Sequence, residues 1–166
     1  MKIVIDIKTL GRRNDAAITQ IGVVVADDSY DIRYEQLFCI IAYEWNTCNR
    51  TFTGESLLKL IQQKNIIPTE NQTYLYSCVL DELKSLIHNC RSTSTFIYAK
   101  DIMDLASLKD LYEFFEKDVP WEPWQLKDIK TIKDYVPNWK TTKNNTNNAL
   151  TNALNQLEEM KINLSK

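Results

Sequence analysis

One histidine, His88, and no Cys-x-x-Cys pair leave this chain without the usual means of holding zinc. Its four cysteines, Cys39, Cys48, Cys78 and Cys90, are scattered, and in a reducing compartment they read as buried or half-buried thiols. Only three glycines and four prolines occur in 166 residues, which implies short loops and abundant regular structure. No apolar run approaches the roughly 20 residues of a membrane span, so no membrane association is expected. Basic residues are not in excess, the formal charge being −2. Tight nonspecific binding to duplex DNA is therefore not expected. The first apolar run is interrupted by Asp6 and Lys8, unlike a signal peptide. The expected location is the cytoplasm, and the abundance of Asn, Lys and Ile matches an AT-rich bacterial or phage genome.

What is present describes an ordinary folded chain. Apolar residues make up 44 % and charged residues 25 %. The length suits a single domain over residues 1–166 with a sizeable core. Lys2 to Ile7 is a β-branched run that ends at Thr9-Leu10-Gly11, a strand followed by a loop. Ala17 to Val25 and Tyr34 to Ala42 read as the next two strands, with Asp27-Asp28-Ser29 as a turn between them. Three consecutive strands joined by short turns predict an antiparallel meander.

The apolar spacing then changes to helical. Ser56 to Gln63 places Leu57, Leu58, Leu60 and Ile61 on one face, with Thr53 or Gly54 as the start. Further helices are predicted over Gln72 to Asn89, Ile102 to Phe115 and Asn147 to Ile162, and a short strand over Phe96 to Ala99. Trp121 to Tyr135 reads as a connection containing a short strand or helix. The polar stretch Thr141 to Asn148 reads as a loop. Strands first, then helices alternating with at least one more strand, predict an α/β (α+β) fold with a mixed sheet flanked by helices.

The motif Asp6-Ile-Lys-Thr-Leu-Gly11, followed by Ala16-Ala-Ile-Thr-Gln-Ile-Gly-Val-Val-Val25, resembles the opening of the DEDDh-type 3′–5′ exonucleases. These belong to the ribonuclease-H-like superfamily, and the likeness is to its phage DexA-like and ribonuclease-T-like branch. The resemblance continues down the chain. Met103-Asp104 is similar to the Phe-Asp of the second motif. Val119-Pro-Trp-Glu-Pro-Trp124, with Lys127 to Ile132, is similar to the Pro-Trp-x-x-Trp and Arg-Thr-Leu segment. Asn147-Asn-Ala-Leu-Thr-Asn152-Ala is similar to the third motif, His-x-Ala-x-x-Asp-Ala.

Carried over residue by residue, the resemblance implies an altered site. Asp6 and Asp104 match its aspartates. Lys8 stands where the first motif has glutamate, Asn147 where the general base is histidine, and Asn152 where the last metal-binding aspartate belongs. The two-metal scheme clamps a phosphodiester between cations about 3.5–4 Å apart. Such cations need carboxylate oxygens, and here the site's formal charge rises from minus four to minus one. At an effective dielectric of about 20, each pair of unit charges about 4 Å apart contributes roughly 4 kcal/mol, so a fixed ammonium opposes metal strongly. Lys8 is predicted to pair with Asp6, Asp104 or both. Asn147 has no usable basicity near neutral pH.

Each assignment has a plainer alternative. Asp104 can serve as a helix-dipole partner, Asn147 as a helix cap, and Lys8 as a solvent-facing side chain. Trp121 and Trp124 read as packing residues, and Arg12, Arg13 and Lys100 as surface charge. The resulting expectation is a catalytically inactive exonuclease-like protein that binds single-stranded nucleic acid. Lys8, Thr9, Leu10 and Gly11 would meet the strand end. No catalytic residue, metal or other cofactor is expected; Mg or Mn at Asp6 and Asp104 would accompany an active site. A protein-interaction or inhibitor module is the first alternative, and an active metal-dependent exonuclease with a rearranged site the second. Pairing of two chains into a homodimer stays open.

Overall fold

The computed structural model describes residues 1–62, 73–90, 94–142 and 146–165, with residues 59–62 described by backbone only. Its first three strands are β1 (Lys2–Thr9), β2 (Ile18–Ala26) and β3 (Ile32–Ile40). They form the expected antiparallel meander, with Ile5 opposite Val23 and Asp6 opposite Gly22. The short helices α1 (Tyr43–Thr47) and α2 (Gly54–Gln62) follow, then β4 (Thr73–Tyr74), α3 (Tyr76–Asn89) and β5 (Phe96–Ala99). Next come α4 (Ile102–Phe114), a single 3-10 turn at Pro123–Gln125, β6 (Leu126–Asp128), α5 (Ile129–Tyr135) and α6 (Ala149–Leu164). The six strands lie in the order β4-β3-β2-β1-β5-β6, with β5 and β6 parallel to β1 and β4 parallel to β3. The result is a mixed sheet flanked by helices.

The side chains of β1 alternate between the two faces of the sheet, as the pleat requires. Ile3, Ile5 and Ile7 join a core built with Val79, Leu80 and Leu83 of α3 and Leu105 and Leu108 of α4. Val4 points the other way, into a second core with Val24, Ile129 of α5, and Ala153, Leu157 and Met160 of α6. Every residue of β2 is buried, because helices cover both faces of this strand. Asp6 lies on the Val4 side of β1, so the alternation itself aims its carboxylate at α6.

Two devices seat α6 on the sheet. Gln20 Oε1 accepts a hydrogen bond of 3.1 Å from Ala149 N, satisfying one of the free donors at the helix start. Two residues along β2, Gly22 meets the helix backbone directly: a β-carbon there would overlap the Ala149 carbonyl carbon and the Leu150 nitrogen. On the opposite face, the Tyr76 hydroxyl donates to Ile18 O at 2.8 Å and accepts from Ile18 N at 2.9 Å, tying α3 to β2. Glu44 of α1 accepts from Tyr76 N at 3.0 Å, so α1 supplies a partner to the first turn of α3.

The differences from the sequence reading are local. The third strand stops at Ile40 because α1, which was not anticipated, begins at Tyr43. The helix predicted from Gln72 starts at Tyr76, since Thr73–Tyr74 pairs with Cys39–Ile40 as β4. Gln63, Gln72 and residues 143–145 of the predicted polar loop lie outside the described residues. The connection between Trp121 and Tyr135 contains both a strand and a helix. Cys78 is exposed rather than buried.

A Gly22→Ala substitution should push the start of α6 off the sheet and destabilise the protein by about 1–3 kcal/mol, the range for overpacking. Gly54, at the first position of α2, has open space around it. Gly54→Ala should be neutral or stabilising by at most about 1 kcal/mol. Thermal unfolding of the two variants beside the parent tests the contrast.

Candidate functional site

Asp6 is only 2 % exposed, and a carboxylate at that depth requires compensation. Its oxygens accept from three side chains. Lys8 Nζ lies 2.8 Å from Oδ2, Asn152 Nδ2 lies 3.2 Å from the same oxygen, and Gln156 Nε2 lies 2.8 Å from Oδ1. Lys8 reaches Asp6 because residues i and i+2 of a strand share a face. The ladder shifts register between Lys8 and Thr9, and the Thr19 hydroxyl donates to Lys8 O at 3.1 Å. Among the described residues, Lys8 forms its ion pair with Asp6 and not with Asp104.

Asn152 and Gln156 are one turn apart on the inward face of α6 and are 2 % and 6 % exposed. The orientation of the Asn152 amide follows from its other partners. Asn152 Oδ1 accepts from Thr146 N at 2.7 Å, and a backbone N–H can only donate. The oxygen therefore faces Thr146 and the NH2 group faces Asp6. That NH2 group also donates to Thr146 O at 3.2 Å. An aspartate at this position could accept from Thr146 but would set a second carboxylate against Asp6.

Asp104 lies in the first turn of α4, behind the helix cap Asp101, whose side chain accepts from Met103 N. It is half-buried, and its carboxylate accepts no hydrogen bond among the described residues. Burial raises its pKa to about 7; the negative charge of Asp6 adds to the rise and the Lys8 ammonium opposes it. Asn147 is exposed just ahead of α6, and the cap of that helix is Asn148, which accepts from Thr151 N. The capping alternative for Asn147 is thereby corrected.

The loop after β1 is largely satisfied from within. Leu10 is buried, its N–H donating to Ala17 O at 2.8 Å and its carbonyl accepting from Thr53 N at 3.0 Å. The Thr9 hydroxyl donates to Gly11 O at 2.8 Å. Thr9 and Gly11 are half-buried, so they, rather than Leu10, are reachable from solvent. Trp121 is buried edge-on against Tyr112, whereas Trp124 is 56 % exposed. His88 sits exposed in the last turn of α3.

The sequence reading missed Gln156, Thr146 and Gln20. Gln156 had a signal, an amide four residues after Asn152 on the same helical face. Thr146 and Gln20 had none, because their roles depend on chain segments brought together only by folding.

The sheet order, the buried aspartate on its central strand and the last helix laid across that aspartate define an exonuclease frame of the ribonuclease-H-like superfamily. The chain belongs to the Rv2179c-like 3′–5′ exoribonuclease domain family, whose model matches residues 1–162. No curated protein matches it in sequence. Among solved structures it is similar to exonuclease I without ligand, with a TM-score of 0.70 at 11 % identity, over 97 % of this chain and 41 % of that one. It is also similar to E. coli exonuclease I in complex with a 5cy-dA13 oligonucleotide (TM-score 0.71, 10 % identity, 97 % and 39 % covered). A complex of exonuclease I with SSB-Ct gives a TM-score of 0.68 at 12 % identity, with 97 % and 40 % covered. The chain thus spans about two fifths of these relatives, and at such identities the likeness is one of fold.

A divalent cation is the group this family implies, and the donor set does not suit one. Both oxygens of Asp6 already accept from side-chain N–H groups, one of them an ammonium. Among the described residues, no three His, Cys, Asp or Glu side chains converge into a metal-binding group.

The raised Asp104 carboxyl gives a pH dependence. Its folded pKa of about 7 exceeds the ordinary 3.8, so its stabilising effect is complete below about pH 4 and is lost as pH rises through about 7. Asp104→Asn should therefore stabilise the protein near pH 8 by on the order of 1–2 kcal/mol, and much less near pH 5. Melting curves across that range check it; an equal effect at both ends would show that the charge is not the cause.

Proposed function

We propose that this chain is an exonuclease frame that holds single-stranded nucleic acid without cutting it. The observation that carries the reading is the Lys8 ammonium on Asp6 at 2.8 Å, inside the site where a metal-dependent nuclease needs open carboxylate oxygens. The rest of the pattern agrees with it. Asn147 supplies no general base, and Asn152 offers Asp6 an N–H group in place of a charge. Lys8 remains 27 % exposed, so part of its ammonium is available to a phosphate. Lys100 lies close enough to Asp104 to lower its pKa, adding a second cation near that carboxyl. The oligonucleotide complexes of exonuclease I support the choice of a single strand as ligand.

A protein partner is the second reading. It draws on exposed aromatic side chains, among them Trp124 at 56 %, Tyr43 at 71 % and Tyr135 at 82 %. Trp45 contributes little to such a surface, because it packs against the main core.

Fluorescence anisotropy with a short labelled single strand tests the proposal. Binding is expected with a dissociation constant of about 10⁻⁴–10⁻⁶ M at physiological salt, the usual range for backbone-dominated contacts, and tighter at low salt. Lys8→Met should weaken it and reduce the slope of log K against log salt by about 0.7. The strand should stay full-length in Mn2+. Degradation in Mn2+ that disappears in Asp6→Ala would replace this reading with an active enzyme, and no binding at low salt would favour the protein partner.

A further inference from the structure

We infer that Gln156 is a positioning residue that closes Asp6 to cations independently of Lys8 and Asn152, and that the two α6 amides join the last helix to the central strand as a metal-free clamp. The inference rests on the binding-only reading above and adds a residue to it for which neither composition nor motif gave a role.

Three observations carry it. First, the donors are divided between the oxygens: Lys8 and Asn152 share Oδ2, whereas Gln156 alone serves Oδ1, at 2.8 Å. Reverting Lys8 and Asn152 to carboxylates would free one oxygen and leave the other capped. Second, the Gln156 Oε1 atom is buried without a hydrogen-bond partner among the described residues. A buried amide with an unmatched oxygen is held there by its NH2 group, since turning the amide over would press that oxygen against the Asp6 carboxylate. Third, the helix cannot easily draw back to vacate the position. Its first turn is seated on Gly22 and bonded to Gln20, and Asn152 is tied to both Thr146 and Asp6. The clamp links residues 146 to 150 positions apart in sequence, so it closes the fold as well as the site.

A divalent ion seeking Asp6 would thus have to displace an ammonium and two amide donors. These are neutral or cationic groups with no affinity for a cation through their N–H side. Hydrogen bonds replace coordination bonds, and α6 is docked whether or not metal is supplied.

Two measurements test the inference. In the unmodified protein, NMR should show the Gln156 side-chain amide protons protected from exchange and unmoved by millimolar Mg2+. A Gln156 amide exchanging as freely as an exposed glutamine would overturn the clamp. In the second, Lys8→Glu, Asn147→His and Asn152→Asp are combined, with and without Gln156→Leu, and Mn2+ binding is followed by calorimetry. The set carrying Gln156→Leu should bind at least about tenfold more tightly, because one hydrogen bond to a charged group no longer has to be broken. Equal affinity would overturn the inference while leaving the binding-only reading intact. Mn2+ binding by the unmodified protein is a separate result and would defeat that reading itself. Should the combined variants fail to fold, the exchange measurement decides alone.

Discussion

A carboxylate buried in the middle of a sheet must be answered by its surroundings, and the site around Asp6 is organised as that answer. The group lies on the central strand, 2 % exposed, where water cannot solvate it. Three elements converge to supply donors: β1 itself through Lys8, α6 through two amides, and the turn at Thr146 through its hold on Asn152. An ion pair at this depth brings little net stability when its desolvation is counted. Its effect is geometric. The last helix is referred to the first strand by directional bonds, and the chain's two ends are locked together over the sheet.

The residues at positions 8 and 152 make sense as a coupled set. An ammonium at Lys8 beside an aspartate at 152 would still leave a carboxylate pressed against Asp6. An asparagine at 152 beside a glutamate at 8 would crowd negative charge at the same oxygen, Oδ2. The pair found here leaves Asp6 matched on all sides, and the Asn152 amide alone can accept from Thr146 and donate to Asp6 at once. Asp104 is the member left without an answer, and its raised pKa records this. Belonging to an exoribonuclease domain family describes the frame. What the frame does depends on these few side chains.

The strands and long helices could be read from the chain because their periodicities are local. β1 and β2 are β-branched runs, β5 is a short apolar one, and the apolar faces of α3, α4 and α6 repeat at helical spacing. Asp6 and Lys8 could be placed together because i and i+2 in a strand share a face. Helix α1 has only five residues, too few for a repeat, and its value to the fold lies in Glu44 reaching Tyr76 N across 32 positions. Thr73–Tyr74 became a strand only because Cys39–Ile40 lies beside it. The choice of Asn148 over Asn147 as cap is a matter of backbone angle between two identical side chains. The roles of Gln20, Thr146 and Gln156 arise from long-range meetings that no single-segment pattern encodes.

The seat at Gly22 separates how α6 is mounted from what it carries. The helix rests there on its own main chain, and Gln20 grips a backbone amide, so neither attachment consults the side chains that face Asp6. Residues 152 and 156 can accordingly be exchanged for others of similar bulk with these two attachments unchanged. Such a socket permits a lineage to trade reactive groups for inert ones, or the reverse, in few steps. In an architecture of this kind, the loss of a chemistry need leave no trace in the path of the backbone.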